Sequence, residues 1–378
     1  MAVIRKAASM NVVAAARKRI ENVFANGLPV YMSFSGGKDS LCLSQLVLSL
    51  IQEGRINPTQ LVVQFVDEEA IFPCIEETVK QWRKLFLLVG AKFEWYCIEV
   101  RHFNCFNSLE NDESFICWDR EKADRWIRQP PKFAIRNHPL LNARSDTYQM
   151  FMPRIDRGGI TITGVRAAES IQRLQNIAEF QRSGRRINNK RQILPIYDWS
   201  NNDVWIYLLA EKVEIPEIYL FLWQTGTSRG QLRVSQLFSI DTAKSLVKLR
   251  EYYPELMERV EKREPNAYLA SLYWDTEMFG RNTATRRKLE QGEAPKDYRA
   301  ELAKLFSNMA LYFTTPHKLS IAQKYRNFYM QTSAILTEKD VRQIYEGLIR
   351  GDPKSRTLRA LYQSVYGDYI QRAKKEVG

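Results

Sequence analysis

Cysteine is scarce in this 378-residue chain, and its placement is uneven. The five cysteines are Cys42, Cys74, Cys97, Cys105 and Cys117, with none beyond. An odd count without close pairing argues against a disulfide scaffold. The sequence also lacks the paired C-x2-C unit of structural zinc sites. Cys97, His102, Cys105 and Cys117 remain a loose metal-ligand set, better read as buried or free thiols. Apolar stretches are broken by polar residues, which excludes a membrane-spanning helix. Met1 to Met10 carries Arg5 and Lys6 without a following signal-type apolar core, so the expected location is the cytoplasm. Neither an internal repeat nor a low-complexity tract is present. Acidic residues are the minority, 43 against 56 basic ones, giving a net charge of +13. That balance suits anionic ligands, nucleotides or nucleic acid among them, and equally an ordinary solvated surface. The 45% hydrophobic content can fill a sizeable core, and the length allows two or three domains.

The most informative segment is Ser35-Gly36-Gly37-Lys38-Asp39-Ser40. It follows the apolar run Leu28 to Phe34, a strand pattern, and opens the helically spaced run Leu41 to Ile51. Two glycines free the backbone to turn its N–H groups inward. A helix start adds unpaired donors and partial positive charge. Lys38 adds a cation, and Ser35 and Ser40 add hydroxyls. Together these make a phosphate cradle. A Walker A loop needs Gly, four residues, then Gly-Lys-Ser/Thr; here Asp39 follows the lysine and no glycine stands five positions before Gly37.

Strand and helix patterns alternate through the first half. Helices are expected at Asn11–Asn26, Ser40–Glu53 and Ile75–Val89; strands at Leu28–Phe34, Leu61–Val66, Phe93–Val100 and Ile160–Thr163. This alternation predicts an α/β fold with a parallel sheet covered by helices on both faces. Residues 101–156, aromatic, charged and holding Pro130-Pro131, read as an insertion or lid. Beyond Asp241 only amphipathic helical patterns stand out: Asp241–Glu261, Ala267–Phe279 and Asp297–Met309. The expected organisation is a nucleotide-binding domain over 1–240 and a helical C-terminal domain over 241–378. In an open parallel sheet, ligands bind at the carboxyl ends of the strands. Three such ends should converge: the cradle, Asp67-Glu68-Glu69, and Gly164-Val165-Arg166.

The cradle resembles the PP-loop, the Ser-Gly-Gly-x-Asp-Ser/Thr signature of ATP pyrophosphatases with the adenine nucleotide alpha hydrolase-like fold. Three further segments resemble the phosphoadenylylsulfate (PAPS) reductase branch of that superfamily. They are Asp67 with Phe72-Pro73 and Glu76-Glu77-Thr78, then Gly164-Val165-Arg166-Ala167-Ala168-Glu169-Ser170 with Arg173, then Pro195 to Ser200 with Asp203. The last reads as structural, Ser200 capping a helix with Asp203 three residues on. The resemblance covers about residues 28 to 210 and is nearest to stand-alone prophage and mobile-element proteins of the immunoglobulin-binding regulator A type.

The resemblance implies ATP as substrate, held by Ser35, Gly36, Gly37, Lys38, Asp39, Ser40, Asp67 and Gly164, with cleavage of its α–β bond. Lys38, Asp39 and Arg166 are the expected catalytic residues. Carboxylates beside a triphosphate need a cation between them, so Mg²⁺ is expected on Asp39 and Asp67. Arg166 offers a planar fork for phosphate or sulfate, and Glu169 can pair with Arg173 four residues on and steady it. With Arg185, these three form the expected acceptor site. Arg154 to Arg191 holds nine basic and three acidic residues, a net +6 that could clamp a polyanion. PAPS reductases use a cysteine near their C-terminus, which this chain lacks. The expected reaction is therefore adenylation of an acceptor with release of pyrophosphate. The rivals are a reductase or sulfotransferase on adenylylated sulfate with an external thiol, and a nucleotide- or nucleic-acid-binding regulatory or defence module without turnover. The acceptor, any nucleic-acid or protein partner and the oligomeric state are left open by the sequence.

Overall fold

The computed structural model describes residues 4, 10–106, 114–156, 158–183, 192–224, 226, 232, 234, 237–238, 246–273, 297–313, 316–350, 352, 355 and 357–365. Two compact units emerge. One comprises Met1–Cys105 with Ser114–Leu272, the other Phe106–Glu113 with Tyr273–Gly378.

The first unit is built on a five-stranded sheet. Its strands are β1 (Val30–Ser33), β2 (Leu61–Val66), β3 (Lys92–Tyr96), β6 (Ile160–Ile162) and β7 (Gln192–Ile193), in the order β3-β2-β1-β6-β7. Every pairing is parallel, Val30 standing against Leu61 on one side and Ile160 on the other. Val30, Met32, Leu61, Val63 and Ile162 are buried, as expected for strands covered on both faces. The order reverses between β1 and β6, and that switch point is where parallel sheets open a crevice at their carboxyl ends.

Helices α1 (Val12–Phe24), α2 (Lys38–Gln52), α3 (Pro73–Leu88), α5 (Ile171–Ser183) and α6 (Asn201–Ala210) link or flank these strands, with α4 (Tyr148–Ile155) in the insertion and α7 (Ile218–Gln224) after α6. Eleven residues of α2 are buried, more than one face, because the helix lies deep in the unit. Its cradle end is thereby fixed by packing.

Three details differ from the sequence expectation. Strand β3 stops at Tyr96 rather than Val100, because the next amide, Cys97 N–H, donates to Ile135 instead of to β2. The insertion contains regular structure, a two-stranded antiparallel sheet of β4 (Arg101–Phe103) and β5 (Ser114–Ile116). The third is β7, two residues long and too short to leave a periodic signal. The helix Pro254–Arg263 lies in the first compact unit, with Arg263 buried against Glu69.

The second unit is helical throughout its described residues. Helices Tyr298–Ser307, Pro316–Thr332 and Glu338–Arg350 pack around Leu305, Tyr325, Phe328, Val341 and Ile344, joined by Leu358 and Leu361. No described helix is long and apolar enough to cross a membrane.

Candidate functional site

The cradle sits where β1 hands over to α2. Gly36 has φ +72°, a left-handed conformation that glycine adopts without penalty. A Cβ there would also press on the Ile75 and Val79 methyls at 3.1 Å. Ser40 Oγ donates to the Gly37 carbonyl (2.8 Å) and lies 3.1 Å from Ser35 Oγ, closing the loop on itself. Asp39 and Ser40 present N–H groups at the second and third positions of α2, and neither meets a protein acceptor among the described residues. Such groups at a helix start are the donors an anion takes up.

Lys38 is buried, and its Nζ donates to Asp39 Oδ2 at 2.8 Å. The other carboxylate oxygen of Asp39 accepts from Arg166 Nε at 2.5 Å. Lys38, Asp39 and Arg166 thus form a continuous charge chain along the crevice. Arg166, expected to face a substrate anion, is 1% exposed. Its remaining nitrogens donate to the Trp199 carbonyl (3.2 Å) and to Asn201 Oδ1 (3.0 Å). Each nitrogen of the fork has an acceptor inside the protein, and its visible work is to hold Asp39.

Glu169 and Arg173 are paired, but the grip on Arg166 is through the backbone: Glu169 Oε2 accepts the Arg166 N–H at 2.8 Å. Gly164 makes its close approach to protein. A Cβ there would stand 2.8 Å from the Asp39 carbonyl oxygen and 3.2 Å from the Ser40 nitrogen. The end of β6 therefore packs backbone against backbone on the start of α2, which brings two of the three expected strand ends together. The segment around Trp199 does more than cap a helix. Ser200 and Asp203 form the expected capping box, while Trp199 and Asn201 hold Arg166.

The strand-two end is different. Asp67 is wholly buried. It accepts from Trp95 Nε1 (2.7 Å) and the Glu69 N–H (3.0 Å) and is paired with Arg128. Burial pushes its carboxyl above the usual range, against the pull of Arg128. Glu69, at φ +63°, accepts from Trp118 N–H (2.7 Å) and Arg263 Nε (2.9 Å). Burial raises it too, with Arg263 opposing. Glu68 pairs with His102 Nε2 at 3.0 Å. Asp67, an expected metal ligand, and Glu69 have each oxygen committed to a donor, and with Glu68 they tie the insertion to the end of β2. Among the described residues no group of three or more His, Cys, Asp or Glu is placed to hold a metal ion. Asp39 remains the carboxylate at the cradle.

All five cysteines are free, and all but Cys74 are buried. Burial pushes the thiols of Cys42, Cys74, Cys97 and Cys117 upward. Of the basic stretch 154–191, Arg154 is held by Asp146 and the Leu140 carbonyl, and Arg166 and Arg173 are engaged as above. Arg157, Arg185, Arg186, Lys190 and Arg191, and the side chain of Arg182, lie outside the described residues. One residue was not foreseen. Tyr219, in an apolar run that reads as core, reaches back 181 positions so that its hydroxyl accepts the Lys38 N–H at 2.8 Å.

Residues 119–223 match the family described as the phosphoadenosine phosphosulfate reductase domain. The stretch includes Gly164, Arg166, Trp199, Asn201 and Tyr219. The chain is 28% identical to the uncharacterized protein YbdN of Escherichia coli (strain K12) over 258 residues, 63% of this chain and 61% of that protein. It is 31% identical to the uncharacterized protein MJ0066 of Methanocaldococcus jannaschii over 50% of this chain and 33% of the relative. Over 106 residues it is 31% identical to the adenosine 5'-phosphosulfate reductase of Neisseria meningitidis serogroup B, 26% of this chain and 41% of that enzyme. The matches thus span between a third and three fifths of these relatives' own lengths. Among solved structures, the U34-tRNA thiolase NcsA from Methanococcus maripaludis with its [4Fe-4S] cluster aligns with a TM-score of 0.32 at 9% identity, over 69% of this chain and 80% of that one.

Proposed function

We propose that this chain, a member of the PAPS reductase-like branch of the PP-loop proteins, binds ATP in the cradle Ser35–Ser40 and transfers its adenylyl group to an acceptor, releasing pyrophosphate. The observation that carries the reading is Asp39, held between Lys38 and Arg166 beside the open N–H groups of α2. A β/γ-phosphate seated on those donors sets its α-phosphorus toward the crevice between β1 and β6, where an acceptor can approach. Lys38 exchanges its bond to Asp39 for the leaving pyrophosphate, and Ser35 and Ser40 orient it. Catalysis is then mostly positioning and charge stabilisation.

Mg²⁺ fits this site only as the nucleotide's companion. Such an ion keeps several waters and takes one or two carboxylates plus phosphate oxygens, and Asp39 is the residue to hold it. When bound it would neutralise charge on the phosphates. Asp67, its oxygens committed and its side chain buried, becomes the anchor of the insertion. Arg166 becomes the strut that fixes Asp39, with Glu169 and Arg173 behind it and Gly164 closing the gap to α2.

The raised, buried thiols favour adenylyl transfer over reductive chemistry by this chain's own cysteines, since the thiolate is the nucleophile. The resemblance to adenosine 5'-phosphosulfate reductase keeps one alternative in view: an adenylylated sulfate as ligand, with an external thiol. Radiolabelled ATP tests both. Pyrophosphate and an AMP-bearing product support the proposal. Binding of adenosine 5'-phosphosulfate with thiol-dependent sulfite release, and no pyrophosphate from ATP, supports the alternative.

A further inference from the structure

Tyr219 places an oxygen where a bound phosphate would meet the cradle. Its hydroxyl accepts the Lys38 N–H at 2.8 Å. A phenol oxygen that accepts in this way still has its proton to give. Among the described residues, no acceptor takes that proton. The ring is 3% exposed and packed edge-on against Trp205, so the hydroxyl cannot swing away without moving α6 or α7. The opposing cradle residue is a glycine: a Cβ on Gly37 would lie 3.3 Å from the Tyr219 hydroxyl and 3.5 Å from Ser35 Oγ. The free proton therefore sits among Gly37, Ser35 and the start of α2, beside the open N–H groups of Asp39 and Ser40.

We propose that Tyr219 is part of the phosphate cradle, its O–H donating to a polyphosphate oxygen of the bound nucleotide while its oxygen passes on the polarisation of the Lys38 N–H. This deepens the ATP reading above and rests on it. A neutral donor suits the place, because a phenolate beside the phosphates would repel them. Burial keeps the phenol protonated, and the Asp39 carboxylate at the start of α2 pushes in the same direction.

The test compares the full-length wild type with Tyr219→Phe, using ATP and inorganic pyrophosphate as probes in calorimetric titration. Loss of one hydrogen bond to a charged oxygen should weaken both by about tenfold, with the Phe variant melting cooperatively. Replacement of Tyr219 by 3,5-difluorotyrosine, whose phenol ionises at lower pH, keeps the ring and the donor. Its fluorine resonances, which flank the hydroxyl, should shift when pyrophosphate saturates the protein. Unchanged affinity in the Phe variant overturns the inference. So does tighter binding, which would make Tyr219 an occupant that phosphate must displace. Fluorine resonances unmoved by saturating pyrophosphate also overturn it, should the Phe variant fail to fold. If the wild type binds neither ATP nor pyrophosphate, the nucleotide reading falls first and this inference with it.

Discussion

Arg166 separates a substrate-binding role from a positioning one. Its guanidinium makes three bonds inside the protein, to Asp39, Trp199 and Asn201. Arg166→Lys keeps a positive charge but cannot meet three divergent acceptors from one ammonium. Two bonds are lost, one of them to a carbonyl and one to an amide, at about 1 kcal/mol each. The lysine headgroup is also more strongly hydrated and is buried, so a destabilisation of about 2–3 kcal/mol is expected. Arg166→Met removes the charge and leaves Asp39 with Lys38 as its cation, which should cost about 3–5 kcal/mol. Urea denaturation of the ligand-free protein measures both. ATP titration of the same variants should show weaker binding, because Asp39 and Lys38 lose their fixed geometry. If both variants unfold within about 0.5 kcal/mol of the wild type while ATP binding disappears, Arg166 serves the ligand directly and the strut argument is refuted.

Other outcomes follow from the same geometry. Gly164→Ala sets a methyl against the Asp39 carbonyl at 2.8 Å; overpacking of this kind costs about 1–3 kcal/mol, and thermal melting plus ATP titration should show lower stability and lower affinity together. Asp67 is raised in the folded protein, so the native state holds its proton more tightly than the unfolded chain does. Its contribution therefore favours folding at low pH and is lost as pH climbs from the ordinary aspartate range through the raised folded value. Denaturation across that window should show wild-type stability falling with pH relative to Asp67→Asn, which has no proton to lose; a parallel pair of profiles would contradict the assignment. A variant with all five cysteines changed to serine or alanine, if it folds, should still release pyrophosphate. Loss of activity in Cys117→Ser with a native melting curve would point to thiol chemistry instead.

Much of the sheet was legible because buried parallel strands leave short apolar runs and the helices between them keep a 3.6-residue period. Leu61–Val66 was read to the residue, and the cradle stood out because glycines, a lysine and a helix start fall together. What the sequence concealed were partnerships across long separations. Arg166 looks like an anion fork until Asn201 and Trp199 are seen to occupy it. The run Asp67-Glu68-Glu69 looks like a metal site until Arg128, His102 and Arg263 arrive from elsewhere in the chain. Tyr219 has no local signal at all, since a tyrosine in Ile218–Trp223 is indistinguishable from a core residue until the fold carries its hydroxyl to Lys38. Charge type was readable; charge pairing was not.

The central claim is that the cradle directs cleavage to the α–β bond of ATP. Incubating the full-length protein with ATP, Mg²⁺ and a metabolite extract as acceptor source, and following the phosphorus products by NMR, tests it most directly. The account predicts pyrophosphate with an AMP-bearing product, both abolished in Lys38→Ala and Asp39→Ala proteins assayed below their melting transitions, which loss of the buried ion pairs lowers. Release of ADP and orthophosphate, or pyrophosphate formation undiminished in both variants, would contradict it.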